Sequence, residues 1–381
     1  MREKEQILEM LAKGTITVAQ AKELLDALDY EAPQRKKKNT FFIDVDKAME
    51  GLSGLGKSVG NFVSETFSDL FDRDFNFQIR GNFDHFQKLQ TRSLKDVENP
   101  ALEIVNENGF VRLEETDSDE LSIQTTVYYK NMTVTEGYHF FSLDEENGKY
   151  IYRAAPVPDA QHQYYLEVLV KLPNKKFKSL SVKTSNAPIY GKNFETEHLE
   201  LSTVNGKIEV HDFLAQNVFL STANSSITME NAQGENASLQ SSNGKIHLED
   251  NQFKSLNVHT SNGRIHGEVL DMEKLSLSTS NGAIHLEKLS TKTLSKVHLQ
   301  SSNGGLYLSL NELDREARFD LSTTSGNVSL NIPVDINADF TKETFVKNKH
   351  IQGATAGFKE GEEGIDFVLS TTNASIVIEK A

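Results

Sequence analysis

Residues 241–265 read SSNGKIHLEDNQFKSLNVHTSNGRI and contain one full period of a repeat that occupies most of the chain. The opening motif S/T-x-N-G-x-I returns 19 residues later, with Asn262 in the slot of Asn243. Asn fills this slot at five successive intervals of 19 residues, and two looser turns and a last turn follow. The slot is occupied by Asn186, Asn205, Asn224, Asn243, Asn262, Asn281, Asn303, Ser325 and Asn373. Self-similarity at a period of about 20 residues indicates a solenoid or an array of blades.

Apolar residues alternate with polar residues on both sides of each Asn. In the quoted stretch, Ile246 and Leu248 follow the first turn, and Leu256 and Val258 precede the second. A period of two is typical of a half-buried strand. Each repeat is therefore predicted to contain two short strands joined at an Asn-Gly corner.

Two folds accommodate such strands. Asn-Gly between strands is also a strong hairpin signal, so stacked hairpins in a sandwich or barrel are the alternative to a wound coil. The constant period, with Thr or Ser two residues before each Asn slot, favours the coil. In a coil, identical positions stack about 4.8 Å apart, and the Asn side chains form a ladder of amides. We predict a mainly β fold, a single-chain β-solenoid of ~19-residue repeats with a small N-terminal α-helical region.

The predicted solenoid domain covers residues 97–381. Its parts are irregular first rungs (97–173), regular repeats (180–330) and distorted C-terminal rungs (331–381). The repeat lapses between Val334 and Asp366, which indicates an inserted loop or a distorted rung.

Composition limits the function. The chain has 381 residues, enough for two or three domains with ample core, and it has no Cys. The missing thiols exclude disulfide scaffolds, thiol catalysis, Cys-ligated zinc and iron–sulfur clusters. Asp and Glu total 55 against 40 Lys and Arg. The formal charge of −15 argues against nucleic acid as a partner and fits cationic peptides better.

We expect neither a transmembrane segment nor a secretion signal in this sequence. No run approaches the roughly 20 apolar residues of a membrane span, and the N-terminus reads as a charged helix rather than a signal peptide. By default we expect a cytoplasmic location, unless an unconventional route exports or anchors the chain.

Residues 1–29 are predicted to form a helical hairpin. Ile7, Leu8 and Leu11 share one helical face, Gly14 ends that helix, and a second helix begins at Thr17. A hairpin of this size buries little surface alone, so we expect it to pack on a second copy or on a partner. The alternative is a cap on the following domain.

Residues 30–96 are predicted to contain a basic linker, with its charged run at 35–38, and an amphipathic helix over about 47–71. The apolar stripe of that helix includes Leu52, Leu55, Val59, Phe62, Val63, Phe67, Leu70 and Phe71. The helix either packs on protein, for example as a cap on an end rung of the solenoid, or lies on a membrane surface. Its acidic polar face argues against the membrane, whereas the basic run upstream supports it.

Residues 51–58, GLSGLGKS, match the phosphate-loop pattern G-x-x-x-x-G-K-[ST]. A phosphate loop follows directly on a buried parallel strand, but residues 46–50 separate this motif from the candidate strand at 41–45. Nothing downstream alternates strand and helix as a nucleotide-binding domain does. We interpret the match as accidental and keep nucleotide binding as a third hypothesis.

Three histidines occupy one slot in consecutive repeats. His247, His266 and His285 each follow the inward Ile and are expected to point outward, about 5 Å apart. Imidazoles at this spacing are candidate metal ligands or a pH-sensitive group. Their column neighbours Thr228 and Tyr307 do not complete a ligand set, so an exposed ladder of polar side chains is the simpler interpretation. No catalytic constellation is evident, and we expect neither enzymatic activity nor a cofactor.

The strand that ends in Leu172-Pro173, followed by reiterated S/T-x-N-G-x-I turns, resembles the bacterial "putative adhesin" domain family of unknown function. The stretch KGTITVAQAKELLDAL near the N-terminus resembles short SHOCT-like helical modules. Together they make the chain similar to envelope-stress proteins of the LiaX and YvlB type in Firmicutes. The resemblance implies a β-solenoid, a role near the membrane or cell surface in antimicrobial-peptide response, and no catalytic residues.

These observations predict a non-enzymatic, envelope-associated scaffold. Its acidic repeat surface is expected to bind an envelope-stress or membrane protein, or a cationic peptide, while the N-terminal helices form a homo-oligomer. The alternative is a peripheral membrane protein anchored by the amphipathic helix of residues 47–71.

Overall fold

The computed structural model describes most of the chain downstream of the first 82 residues. The described residues are 83–130, 139–156, 163–332, 335–339, 349–359 and 363–380. They contain strands and no helix, which confirms the mainly β prediction. The predicted helical hairpin, the basic linker, the amphipathic helix and the GLSGLGKS motif lie outside the described residues.

The strands are given in chain order. The first eleven are β1 (Asp84–Ser93), β2 (Ala101–Asn106), β3 (Gly109–Thr116), β4 (Glu120–Lys130), β5 (Phe141–Glu146), β6 (Lys149–Ala154), β7 (Gln163–Pro173), β8 (Phe177–Thr184), β9 (Ile189–Thr203), β10 (Ile208–Thr222) and β11 (Ile227–Ser241). The others described are β12 (Ile246–Thr260), β13 (Ile265–Thr279), β14 (Ile284–Leu289), β15 (Lys296–Ser301), β16 (Leu306–Leu310), β17 (Ala317–Thr323), β18 (Val328–Asn331), β19 (Asp335–Asp339), β20 (Lys349–Ala354), β21 (Ile365–Thr371) and β22 (Ile376–Lys380).

The described residues fall into two compact units. The first holds 83–87, 126–130 and 163–164, and within it Gln87 Nε2 donates to Thr126 Oγ1 at 3.4 Å. The second unit holds the remaining described residues, including all of the repeat, and everything that follows concerns it.

The regular part of the second unit is a parallel coil. β9 to β13 are 15-residue strands that pair in parallel, each with the next, at a constant offset of 19 residues. Ile208 pairs with Ile227, Ile227 with Ile246, and Ile246 with Ile265. Parallel neighbours one period apart cannot be hairpins, so the alternative of stacked hairpins is wrong. Each 19-residue rung is one turn of a β-solenoid.

The chain bends in each rung from β9 to β14 at a residue with left-handed backbone geometry. These residues recur in the same slot with φ between 49° and 54°, and they are Asn193, Asp212, Asn231, Asp250, Val269 and Lys288. Asn and Asp tolerate this region better than other residues with side chains. We call the part of a rung from the buried Ile to this corner the post-turn segment, and the part leading to the Asn slot the pre-turn segment. In the rung of β12 these are residues 246–249 and 255–260.

The core is made of aligned apolar columns inside the coil. The Ile that opens each post-turn segment is fully buried, as at Ile208, Ile227 and Ile265. The core also contains stacked rings, with Phe194 and Phe213 at 5.3 Å between centroids. At roughly 1.5–3 kcal/mol for each fully buried large side chain, these columns supply the main stabilising free energy of the coil.

The turns carry two polar ladders. In the outer ladder, each Asn side-chain Nδ2 donates to the Oδ1 of the Asn in the preceding rung, at 2.6–2.8 Å. This ladder consists of Asn108, Asn186, Asn205, Asn224, Asn243, Asn262, Asn281, Asn303 and Asn373. In the inner ladder, the buried Thr260 hydroxyl accepts from Gly263 N and donates to Gly244 O one rung back. The Thr or Ser two residues before each Asn slot thus satisfies backbone groups that the coil buries.

The rungs at both ends of the coil stack out of chain order. β2 and β3 lie between β6 and β7 on one side and β8 and β9 on the other, and all four pairings are parallel. At the other end, β21 and β22 lie between β15 and β16 on one side and β17 and β18 on the other. The irregular first rungs and distorted C-terminal rungs of the sequence prediction are therefore intercalated units.

Antiparallel strands cover both ends of the pre-turn stack. β5 pairs antiparallel with β6, β20 pairs antiparallel with β17, and β19 with β20. Where the sequence indicated an inserted loop or a distorted rung, the described residues form the β19 and β20 pair. In this way the outermost parallel strands β6 and β17 are paired within the chain, and another chain cannot extend the stack in parallel at these positions.

Candidate functional site

Two columns of outward side chains follow the post-turn segments. Successive residues of a strand point to opposite faces, so the positions on either side of one buried residue form parallel columns. The histidine column consists of Arg112, Tyr190, Glu209, Thr228, His247, His266, His285 and Tyr307. The glutamate column consists of Glu114, Lys192, His211, Glu230, Glu249, Glu268 and Glu287.

The structure brings the three sequence-predicted histidines together. The ring centroids of His247 and His266 are 5.3 Å apart with an interplanar angle of 4°, and those of His266 and His285 are 5.5 Å apart. Tyr307 stacks on His285 with centroids 4.3 Å apart, and its hydroxyl donates to Glu379. Tyr307 is thus the last ring of this stack, and the hydrogen bond to Glu379 holds its hydroxyl group in place.

The carboxylates beside these rings were missed by sequence reasoning. His285 Nε2 lies 2.8 Å from Glu287 Oε1, and His247 Nε2 lies 3.3 Å from Glu249 Oε2. The signal was the His-x-Glu spacing, because residues two apart on a strand share a face. Two groups have ligand atoms within 4.8 Å of one another, His266 with His285 and Glu287, and Glu230 with His247 and Glu249.

Another part of the same surface holds a protonatable cluster. His211 places Nδ1 2.9 Å from Glu230 and Nε2 3.1 Å from Glu209, which Lys207 also contacts. Burial acts to lower the pKa of His211, but the hydrogen bond to Glu209 and the charge of Glu230 outweigh it, and the pKa is raised. Burial acts to raise the pKa of Glu209, but hydrogen bonds from His211 and Lys207 outweigh it, and the pKa is lowered.

His266 lies in the opposite electrostatic situation. Burial, together with the adjacent charges that His247 and His285 acquire on protonation, lowers the pKa of His266. Beside it, Glu268 accepts a hydrogen bond from Lys288 at 2.7 Å, which lowers the pKa of Glu268. The middle imidazole therefore favours its neutral form, while Glu268, two residues further along the same strand, is already paired with a cation.

The other sequence-predicted features are distributed as follows. The Asn ladder lies along the turns, where it joins rung to rung. The apolar stripe of Leu52 to Phe71 and the GLSGLGKS motif lie outside the described residues, so membrane and nucleotide binding stay predictions. Across the part of the chain that the structure describes, no helix has the length and apolar character needed to span a membrane.

The parallel 19-residue coil with its polar ladders defines a β-solenoid repeat protein. Comparison with known families then gives a more specific assignment: the model of the Toastrack DUF4097 family matches residues 99–357, and the chain belongs to that family. A SHOCT-like domain model matches residues 2–29, the segment in which the sequence predicts a helical hairpin.

Two solved structures are also similar. One is described as a "putative cell adhesion protein" from Clostridium sporogenes, with 9% identity, 78% of this chain and 100% of that chain covered, and a TM-score of 0.28. The other is described as a "putative adhesin" from Parabacteroides merdae, with 12% identity, 58% and 95% covered, and a TM-score of 0.36. No curated protein matches the chain.

Proposed function

We propose that this chain is a non-enzymatic, envelope-associated binding protein that captures a cationic partner on its glutamate column. The observation that carries the proposal is the alignment of Glu230, Glu249, Glu268 and Glu287 in four consecutive rungs. Their side chains remain 31–44% exposed, so a partner in solvent can reach them.

This alignment has an electrostatic cost that a cation relieves. Like charges on directly paired strand positions repel, and the rungs hold these carboxylates about 5 Å apart. Lys288, at the corner of its rung, pairs with Glu268, and His211 contacts Glu230, but the whole chain carries a formal charge of −15. A positively charged partner would gain Coulomb energy at the column and would be attracted by the overall field.

The spacing suits a cationic helix. A helix that presents Lys or Arg once per turn advances about 5.4 Å between them, close to the spacing of about 4.8 Å between rungs. One helical cation per rung would face each of the four glutamates. A cationic amphipathic peptide, or a basic helix of an envelope-stress or membrane protein, has this pattern.

The cellular part of the proposal is a role in envelope stress or antimicrobial-peptide response. It is supported by the resemblance of the turn motifs and the N-terminal module to the LiaX and YvlB type, and by the Toastrack and SHOCT-like matches. In this proposal the solenoid binds the partner near the membrane or cell surface. The helical hairpin of residues 1–29 joins copies of the chain.

Binding of a labelled cationic amphipathic helix to the full chain tests the proposal. We expect the E230Q/E249Q/E268Q/E287Q variant to lose at least tenfold in affinity, and raised salt to weaken wild-type binding. The matched control, E195Q/E197Q/E235Q/E273Q, removes the same charge elsewhere on the rungs and should retain affinity within about twofold. Equal losses in both variants would show attraction to net charge alone, and no binding by the wild type would overturn the proposal.

A further inference from the structure

We propose that His266, His285 and Glu287 bind one divalent transition-metal ion of the zinc class on the outer face of the coil. This inference goes beyond the proposed function, because metal binding at these three side chains does not require a peptide or protein partner. It rests on two imidazoles and one carboxylate that the register of β13 and β14 places together.

The ligand types suit zinc and its neighbours. Imidazole and carboxylate donors, without thiolate, are a common set for Zn²⁺, and two His with one carboxylate leave the fourth position to water. The chain has no Cys, so nitrogen and oxygen donors are its strongest ligands for such an ion. Calcium and magnesium favour sites made of oxygen alone, and the paired imidazoles argue against them.

The geometry requires only small side-chain movements. The three donor atoms lie within 4.8 Å of one another, and His285 Nε2 is already 2.8 Å from Glu287 Oε1. Ligands of a tetrahedral zinc ion lie about 3.3 Å apart, given bonds of about 2.0–2.1 Å. His285 and Glu287 are 38% and 41% exposed, so rotation about their side-chain torsions can close the difference without moving the strands.

The surroundings hold the ligands in place. Tyr307 stacks on the outer face of His285 at 4.3 Å, and Glu379 anchors the Tyr307 hydroxyl. On the other side, His247 stacks on His266 at 5.3 Å. Residues that fix the orientation of a metal ligand raise affinity because less freedom is lost on binding.

The charges around the cluster also favour a cation. The facing groups are His247 and Tyr307 in the histidine column, and Glu249 and Glu268 in the glutamate column, with Lys288 paired to Glu268. Glu268 is therefore already paired with the ammonium group of Lys288, which leaves Glu287 as the carboxylate ligand.

Titration of the metal-free full chain with zinc sulfate alone, followed by a competing fluorescent zinc indicator, tests the inference. We expect one ion per chain at the high-affinity site, and a loss of at least about tenfold in affinity for His285→Asn and for Glu287→Gln. His259→Asn is the matched control, since His259 is an exposed histidine of a pre-turn segment bonded to Ser278. It should bind zinc within about twofold of the wild type.

Thermal unfolding of each metal-free variant shows whether it is folded, and anomalous scattering at the zinc edge locates the ion. The inference is overturned if His285→Asn, folded, binds zinc as the wild type does, or if the wild type binds no more zinc than the His266→Asn/His285→Asn variant. The zinc titration contains no peptide, and the peptide assay is run with a chelator. Failure of one proposal is therefore distinguishable from failure of the other.

Discussion

At the scale of single residues, Val269 combines a β-branched side chain with a backbone φ of 51°. The same slot holds Asn or Asp in the four rungs before it. Left-handed geometry costs a residue with a Cβ roughly 1–2 kcal/mol, and more when the side chain is branched. The regular stacking of β12, β13 and β14 imposes this geometry on Val269 because its neighbours in the column share it.

We therefore predict that Val269→Asn raises the free energy of unfolding by about 1 kcal/mol, because Asn adopts this conformation at lower cost. Urea unfolding followed by circular dichroism measures the change. The control is Val204→Asn, at a 48% exposed valine in a turn, which should change the free energy of unfolding by less than about 0.5 kcal/mol. A loss of stability in Val269→Asn would show that the valine side chain has a packing role at this corner.

His211 gives the folded state a pH dependence of defined sign. Its pKa is raised in the folded protein, so protonated His211 contributes stability at pH values below the ordinary histidine pKa of about 6.5. That contribution is lost as pH rises through the raised pKa. We predict that the wild type exceeds His211→Gln in free energy of unfolding most at about pH 6, and that the difference shrinks toward pH 9.

Urea unfolding of both proteins between pH 6 and 9 measures this difference. Glu230→Gln retains the histidine but removes one of the carboxylates that raise its pKa, so the wild-type pH dependence should be reduced and not abolished. A difference between wild type and His211→Gln that grows with pH would contradict the assignment of a charged His211 between Glu209 and Glu230.

At the scale of the rung, the buried hydroxyl two residues before each Asn links neighbouring turns. Thr260 is fully buried. Its hydroxyl accepts a hydrogen bond from Gly263 N at 3.2 Å and donates one to Gly244 O at 3.1 Å. Replacement by the nearly isosteric Val would leave one donor and one acceptor of the backbone buried without partners. Each unsatisfied group costs about 1–3 kcal/mol.

We predict that Thr260→Val lowers the free energy of unfolding by about 2–4 kcal/mol. Thr260→Ser should cost less than about 1 kcal/mol, because it removes one methyl group and keeps the hydroxyl. Ser241 and Ser301 already make both bonds in other rungs. Equal losses in the two variants, measured by urea unfolding, would mean that packing of the methyl group and not hydrogen bonding sets the cost.

The same scale shows why the repeat was predictable and the corner was not. The turn motif carries its signal in one slot that holds Asn in nearly every rung, and a column of like side chains at a fixed period explains the recurrence of Asn243 and Asn262. The left-handed corner has a weaker signature, since Asn or Asp occupies it in four rungs, whereas Val269 and Lys288 share the backbone conformation without that chemistry. Stacking on neighbouring rungs imposes the geometry on these two residues, and their local sequence does not indicate it.

The candidate site was half predictable for a related reason. The shared slot of His266 and His285 is visible in sequence, and the structure stacks both rings. Glu287 was overlooked because it belongs to a different column of the same face. The sequence pattern shows neighbours along one column, whereas the strands place a carboxylate beside each of the three histidines, in the glutamate column.

At the scale of the whole second unit, the order of rungs differs from the order of the chain. β21 and β22, the last described strands, lie between β15 and β16 on one side and β17 and β18 on the other. Sequence could not reveal this order, because the turns at Asn303, Ser325 and Asn373 carry similar motifs and any of them can stack on another. The amide ladder follows the order of the rungs and not the order of the chain, since Asn373 donates to Asn303 at 2.7 Å.

This order makes a prediction about local stability that a coil stacked in chain order would not make. Terminal rungs of a solenoid normally open first, because they contact a neighbour on one side. β21 and β22 are bonded on both sides, whereas β18 has its described pairing with β22 alone. We predict that the amides of β21 and β22 exchange with deuterium nearly as slowly as those of β11 and β12, and more slowly than those of β18.

Hydrogen exchange with mass spectrometry on the full chain measures these rates, and a chain truncated after residue 363 provides the complementary test. Removal of β21 and β22 takes away the parallel partners of β17 and β18 and uncovers β15 and β16. Protection should therefore be lost upstream over residues 317–331, while β10 to β12, several rungs away, retain theirs. The intercalated order would be wrong if exchange in the full chain were fastest in β21 and β22. It would also be wrong if truncation left β17 and β18 protected, because β17 and β18 would then stack directly on β15 and β16.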